Sequence, residues 1–97
     1  MTLPVVWLPE ADAELKEALV RYEGVRPELA QRFAEAVVGT IEKPSASPLH
    51  YAVLEKARRR AGVHRFPYGL FFLVEETRIV VIACFHGRRN PTHWQLR

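Results

Sequence analysis

What most constrains this chain is its last third. Two apolar runs, Leu70 to Val74 and Ile79 to Phe85, flank the polar stretch Glu75-Glu76-Thr77-Arg78. Short apolar runs rich in Val, Ile and Phe and bounded by polar residues read as strands. A short polar gap between two of them reads as an antiparallel hairpin, although no Asn-Gly or Asp-Gly fixes its turn type. Neither run alternates with polar residues, so both faces are apolar and the hairpin is expected at the centre of a sheet with a layer packed over it. Basic and imidazole side chains crowd its ends: His64 and Arg65 at the entrance, His86, Arg88 and Arg89 at the exit.

The 97 residues make one domain, spanning 1–97, with a single core. The lone Cys84 falls inside a predicted strand. It allows neither an internal disulfide framework nor a cysteine zinc site, and reads as a small buried residue in a reducing cytoplasm. No apolar run approaches the roughly 20 residues of a membrane span, and no secretory leader is recognisable at the N-terminus. Charge is divided along the chain. Residues 1–55 carry five Lys and Arg against nine Asp and Glu, a net −4, whereas residues 56–97 carry nine against two, a net +7. An acidic half joined to a basic half points to a surface that meets a polyanion or an acidic protein, the alternative being charge that only solubilises a small domain.

Leu3 to Leu8 is expected to form a first strand, with Pro4 confining its start to a sheet edge. Pro9 opens a helix, Glu10, Asp12 and Glu14 favour its N-terminus, and Leu15, Ala18, Leu19 and Tyr22 give it an apolar stripe. Gly24 is expected to end it. Pro27 opens a second helix, buried along Leu29, Ala30, Phe33, Ala36, Val37, Thr40 and Ile41, and Pro44 is expected to stop it. The short connection makes the pair an antiparallel helix hairpin. Pro44 to His50 is a loop by composition, while Tyr51, Val53 and Leu54 could pack beneath the helices. Lys56 to Arg65 is read as a strand with Arg58 and Arg60 on one side and Arg59 on the other, followed by a turn at Phe66-Pro67-Tyr68. The order strand, two helices, three strands gives an α+β fold: an N-terminal strand and a two-helix hairpin packed on a mainly antiparallel sheet completed by three C-terminal strands. The helices should cover one face and leave the other partly open.

Trp7-Leu-Pro-Glu-Ala-Asp-Ala-Glu-Leu15 leading a helix pair, Arg65-Phe-Pro-Tyr68 opening an apolar hairpin, and His86-Gly-Arg-Arg-Asn-Pro91 with Trp94 closing it together resemble the RelE/ParE superfamily. These are the toxins of type II toxin–antitoxin modules, and the likeness covers nearly the whole chain. The resemblance implies a cytoplasmic toxin without a cofactor, held silent by a cognate antitoxin and reaching operator DNA only through it. It also implies one of two targets. RelE-like toxins cut messenger RNA on the ribosome; ParE-like toxins poison DNA gyrase by contact. The Arg-Phe-Pro-Tyr turn looks more like the ParE branch.

RNA cleavage through the 2′-OH needs proton transfer at two oxygens and cations around the phosphate. For that chemistry the candidate catalytic residues are Arg65, His86 and Arg89, and the candidate binding residues are Arg58, Arg59, Arg60, Arg88 and Trp94. The chain departs from the RelE pattern where Gly69 replaces an arginine and where no tyrosine follows Arg89. Trp94 could stack on a base but an indole cannot serve as a general acid. Each candidate also has a structural reading: His86 as a satisfied strand-end histidine, Arg65 paired with a helix carboxylate, Arg88 and Arg89 as a solvated face, Trp94 as a lid over the core. His50 and His93 lack metal-ligand spacing. On either activity Arg89→Ala should relieve growth arrest while leaving the fold intact, which growth curves beside circular dichroism of the variant would check.

Overall fold

The computed structural model describes residues 3–46 and 58–87. Six elements follow in order: β1 (Val5–Trp7), α1 (Pro9–Val25), α2 (Pro27–Ala46), β2 (Arg59–Gly62), β3 (Tyr68–Val74) and β4 (Ile79–His86). The strands form one four-stranded sheet in the order β1-β4-β3-β2. The apolar hairpin β3–β4 is therefore central, as two-sided apolarity requires. β2 joins it antiparallel on one side, and β1 joins β4 parallel on the other, Val5 opposite Ile79 and Trp7 opposite Val81.

The helices fold back on each other about one extended residue, Arg26. Their apolar stripes meet one face of the sheet, where Ala18, Phe33 and Val37 pack with Tyr68, Leu70 and Cys84. Phe33, Phe72 and Leu70 are wholly buried. The far face carries Phe71, Val80, Ile82, Ala83 and Phe85, with Leu8 and Leu73 against them. It is not open as expected, since Phe71 is 8% exposed and Phe85 4%. A shift in register contributes to this packing. Phe71 lies opposite Ala83 but Phe72 opposite Val81, so Ile82 is an extra residue in β4 and joins Ala83 in the far-face cluster.

Three local expectations change. Gly24 lies within α1, which runs one residue further, to Val25, and hands its end to Arg26, whose N–H donates to the Tyr22 carbonyl at 3.0 Å. α2 continues through Pro44 to Ala46. A proline in the final turn removes only the rung to the carbonyl four residues back, so the helix ends there without breaking earlier. The chain reversal between β2 and β3 sits at Val63–Phe66, not at Phe66-Pro67-Tyr68: the Phe66 N–H donates to the Val63 carbonyl at 3.1 Å. Tyr51, Val53 and Leu54 lie outside the described residues.

β1 covers β4 only from Ile79 to Val81, and Leu8 adds one more bond through its N–H to the Val81 carbonyl at 3.0 Å. Beyond that point the outer edge of β4 would leave donors without a strand. The Glu14 carboxylate of α1 fills the gap, accepting the Cys84 backbone N–H at 3.1 Å. A helix side chain thus stands in for a missing strand. Losing it strands a donor in a partly buried site, so Glu14→Ala should cost about 1–3 kcal/mol while Glu14→Gln, which keeps an acceptor, costs less. Urea unfolding followed by circular dichroism measures both.

Candidate functional site

Two of the functional candidates, Arg65 and His86, lie at one end of the sheet, and that end is built by aromatic packing. The turn between β2 and β3 is closed by the Val63 N–H donating to the Tyr68 carbonyl at 2.8 Å. Tyr68 lies opposite His86, and the Gly87 N–H donates to the Pro67 carbonyl at 2.6 Å, tying the exit of β4 to the turn. Phe66 and Tyr68 flank Pro67, and their rings reach the helix pair. Ring centroids of Phe33 lie 5.0 Å from Tyr22, Phe66 and Tyr68 alike, and Tyr22 is 5.3 Å from Phe66. Tilted and edge-on pairs at these separations are favourable beyond the area they bury. The imidazole of His86 extends the group, edge-on to Tyr68 at 5.4 Å.

Arg65 takes the turn position with φ 68°, the left-handed region that a residue with a β-carbon rarely occupies. Its side chain is exposed, and no ion pair among the described residues engages it. The alternative in which Arg65 pairs with a helix carboxylate therefore has no counterpart among the described residues.

His86 is half-buried. With Glu14, Glu17, Arg21, Tyr68 and Cys84 it lines a cavity of about 10 Å³, about one water at most. Burial first, and the Glu14 carboxylate second, push the Cys84 thiol from its ordinary 9.0 up to about 12, so it stays protonated and unreactive in the folded chain. Burial, with Tyr68 next, also raises the Tyr22 hydroxyl, which is a donor and not a base at neutral pH.

The basic strand divides its arginines. Arg58, expected on a binding surface beside Arg60, is 4% exposed and belongs to the interior. Its position just ahead of β2 puts the stem among packed groups, which a long aliphatic side chain allows. Arg59 is half-buried and Arg60 exposed. Arg88, Arg89 and Trp94 lie outside the described residues. The structure thus brings Arg65 and His86 to one end of the sheet and leaves Arg60 as the outward cation of β2. No group of His, Cys, Asp and Glu among the described residues could hold a metal ion.

A second feature is the apolar groove between helices and sheet that could take an antitoxin helix. Between α1, α2 and β1 lies an apolar groove of about 310 Å³ lined by Trp7, Leu15, Leu19, Val37, Val38 and Ile41, with Asp12 at its rim. Asp12 is already paired with Lys16 at 2.9 Å, so the groove offers almost no polar demand of its own. Val38 is 56% exposed, an apolar residue beyond what the core absorbs.

A family model described as the ParE toxin of the type II toxin–antitoxin system, parDE, matches residues 5–91. Among solved structures, a chain from the chromosomal ParDE toxin–antitoxin system of P. aeruginosa is similar at 19% identity with a TM-score of 0.76, covering 88% of this chain and 96% of that one. That likeness speaks to fold. No curated protein matches the chain.

The left-handed turn at Arg65 yields a measurement. Glycine relieves a strained φ, so Arg65→Gly should raise stability by about 1 kcal/mol. Thermal unfolding would record the gain, and a loss would mean that the arginine side chain holds the turn.

Proposed function

The chain belongs to the ParE toxin family of type II toxin–antitoxin systems, and we propose that it inhibits DNA gyrase by protein–protein contact and is neutralised by a cognate antitoxin. The observation that carries this reading is the narrow space on the helix side of His86. Strand-end imidazole, two helix carboxylates and a tyrosine meet there, yet the cavity is about 10 Å³. A general acid or base must come within hydrogen-bond reach of the atom it serves, and a scissile phosphate does not fit between His86 and α1. Glu14 is committed to the Cys84 N–H, and the Cys84 thiol is held protonated. This arrangement favours a surface that acts by contact over ribosome-dependent cleavage of messenger RNA.

The α1–α2 groove supports the second half of the proposal. An amphipathic helix laying three or four apolar side chains into a groove is a common mode of peptide capture, and this one is apolar along its length. The antitoxin is taken to occupy it, to carry any operator binding itself, and to act in the cytoplasm where gyrase works. No helix among the described residues is long and apolar enough to cross a membrane.

Purified chain at micromolar concentration should block gyrase supercoiling. Supercoiling left untouched, together with codon-linked cuts by primer extension on translated messages, would replace this reading with RNA cleavage. Val38→Glu, on an exposed groove position, should keep growth arrest but weaken antitoxin binding about tenfold or more, roughly 1.4 kcal/mol, read by titration calorimetry. Unchanged affinity would move the antitoxin site elsewhere.

A further inference from the structure

We infer that Arg60 is a pre-formed carboxylate receptor, the point at which an acidic side chain of a protein partner docks on the far face of the sheet. The site lies on β2, away from the α1–α2 groove, and does not depend on gyrase being the target.

The case begins with pairing. Arg60 stands opposite Phe71 and Gly62 opposite Gly69, so all four share the face that points away from the helices. The Arg60 side chain leans across to β3. A β-carbon on Gly69 would stand 2.6 Å from its Nε, 2.9 Å from its Cζ and 2.9 Å from its Nη2. The guanidinium thus occupies the volume that any side chain at position 69 would need. Its Nη1 would lie 3.6 Å from a β-carbon on Gly62, and its Cζ lies 5.9 Å from the centroid of Phe71. Two glycines and one ring bracket the planar group.

Guanidinium stacks well on aromatic faces and gives up water more readily than an ammonium. Contact with these groups reduces the rotamer freedom that binding would otherwise quench. None of the groups that hold it is charged, and no carboxylate among the described residues forms an ion pair with it. Arg60 is exposed, so its donors reach the surface. A fixed, solvent-facing fork of this kind matches a carboxylate in two-pronged geometry. A nucleic-acid backbone instead rewards a track of cations, one for each phosphate neutralised. Among the described residues the groups packed against this guanidinium are Gly62, Gly69 and Phe71. A single oxyanion beside apolar surface is the chemistry of a glutamate or aspartate on a peptide.

Gly69 is then a positioning residue. The atoms it would displace belong to the far end of a flexible side chain, so Gly69→Ala keeps the strand and evicts the guanidinium from its seat.

The test uses the full ¹⁵N-labelled chain and follows the Arg60 Nε–Hε signal during titration with a hexaglutamate peptide and, separately, with a thymidine hexanucleotide. The hexaglutamate should give a saturable shift, about tenfold weaker in affinity for Gly69→Ala and for Arg60→Lys, which keeps the charge but not the fork. Arg78→Ala, at the opposite end of the sheet, should bind as the parent does. Absence of a saturable shift with hexaglutamate overturns the inference, as does tighter binding of the hexanucleotide. Parent-like affinity in both Arg60→Lys and Gly69→Ala would also overturn it. Should Gly69→Ala fail to fold by circular dichroism, Arg60→Lys decides alone. Growth arrest and gyrase assays are not part of the readout, so this inference and the gyrase reading can fail separately.

Discussion

The fold depends on a knot of four rings. Tyr22 from α1, Phe33 from α2, and Phe66 and Tyr68 from the entrance of β3 meet within about 5 to 6 Å of one another. Both helices and the entrance of β3 contribute at least one ring, so the knot fixes the helix pair against the sheet at one end and sets the path of the turn there. It explains why an arginine tolerates a left-handed backbone. Phe66 must point to the helices on one side of Pro67 and Tyr68 on the other, and that demand decides the conformation of the residue before them. Local strain at Arg65 is outweighed by the packing of Phe66 and Tyr68.

The same end of the sheet shows how a small domain handles incomplete layers. β1 is three residues long and leaves part of β4 without a neighbour strand. α1 makes good the deficit with Glu14, and that carboxylate serves the site in three ways. It satisfies the Cys84 N–H, it raises the adjacent thiol, and it closes the space beside His86. A residue whose first role is to finish a hydrogen-bond ladder thereby also narrows the space between a strand-end histidine and α1.

The architecture was readable because its strongest signals are periodic. The two apolar runs identified the central hairpin, and the stripes through Leu15, Ala18, Leu19 and Tyr22 and through Phe33 and Val37 identified the covering helices. Less was legible where a residue's role is set by something distant in sequence. Arg58, Arg59 and Arg60 are identical in type, yet Arg58, just ahead of β2, is buried while Arg60, opposite Phe71, is exposed. Glu14 did carry a sign: it falls within the buried stripe of α1 between Ala11 and Ala18, where a solvated acid is out of place. Gly69 carried none, because a glycine that seats a neighbour's side chain reads like any other glycine in a strand. The α2 terminus was misjudged because a proline's cost depends on which turn it occupies.

The parallel seam between β1 and β4 has a consequence for how the protein comes into being. Val5 finds its partner in Ile79, so the earliest strand to leave the ribosome must wait for nearly the last. Contacts that distant in sequence close late, after the local helix hairpin has formed. The finished sheet, and every surface built upon it, therefore cannot exist on a half-made chain. The β1–β4 seam is complete only once synthesis has passed β4.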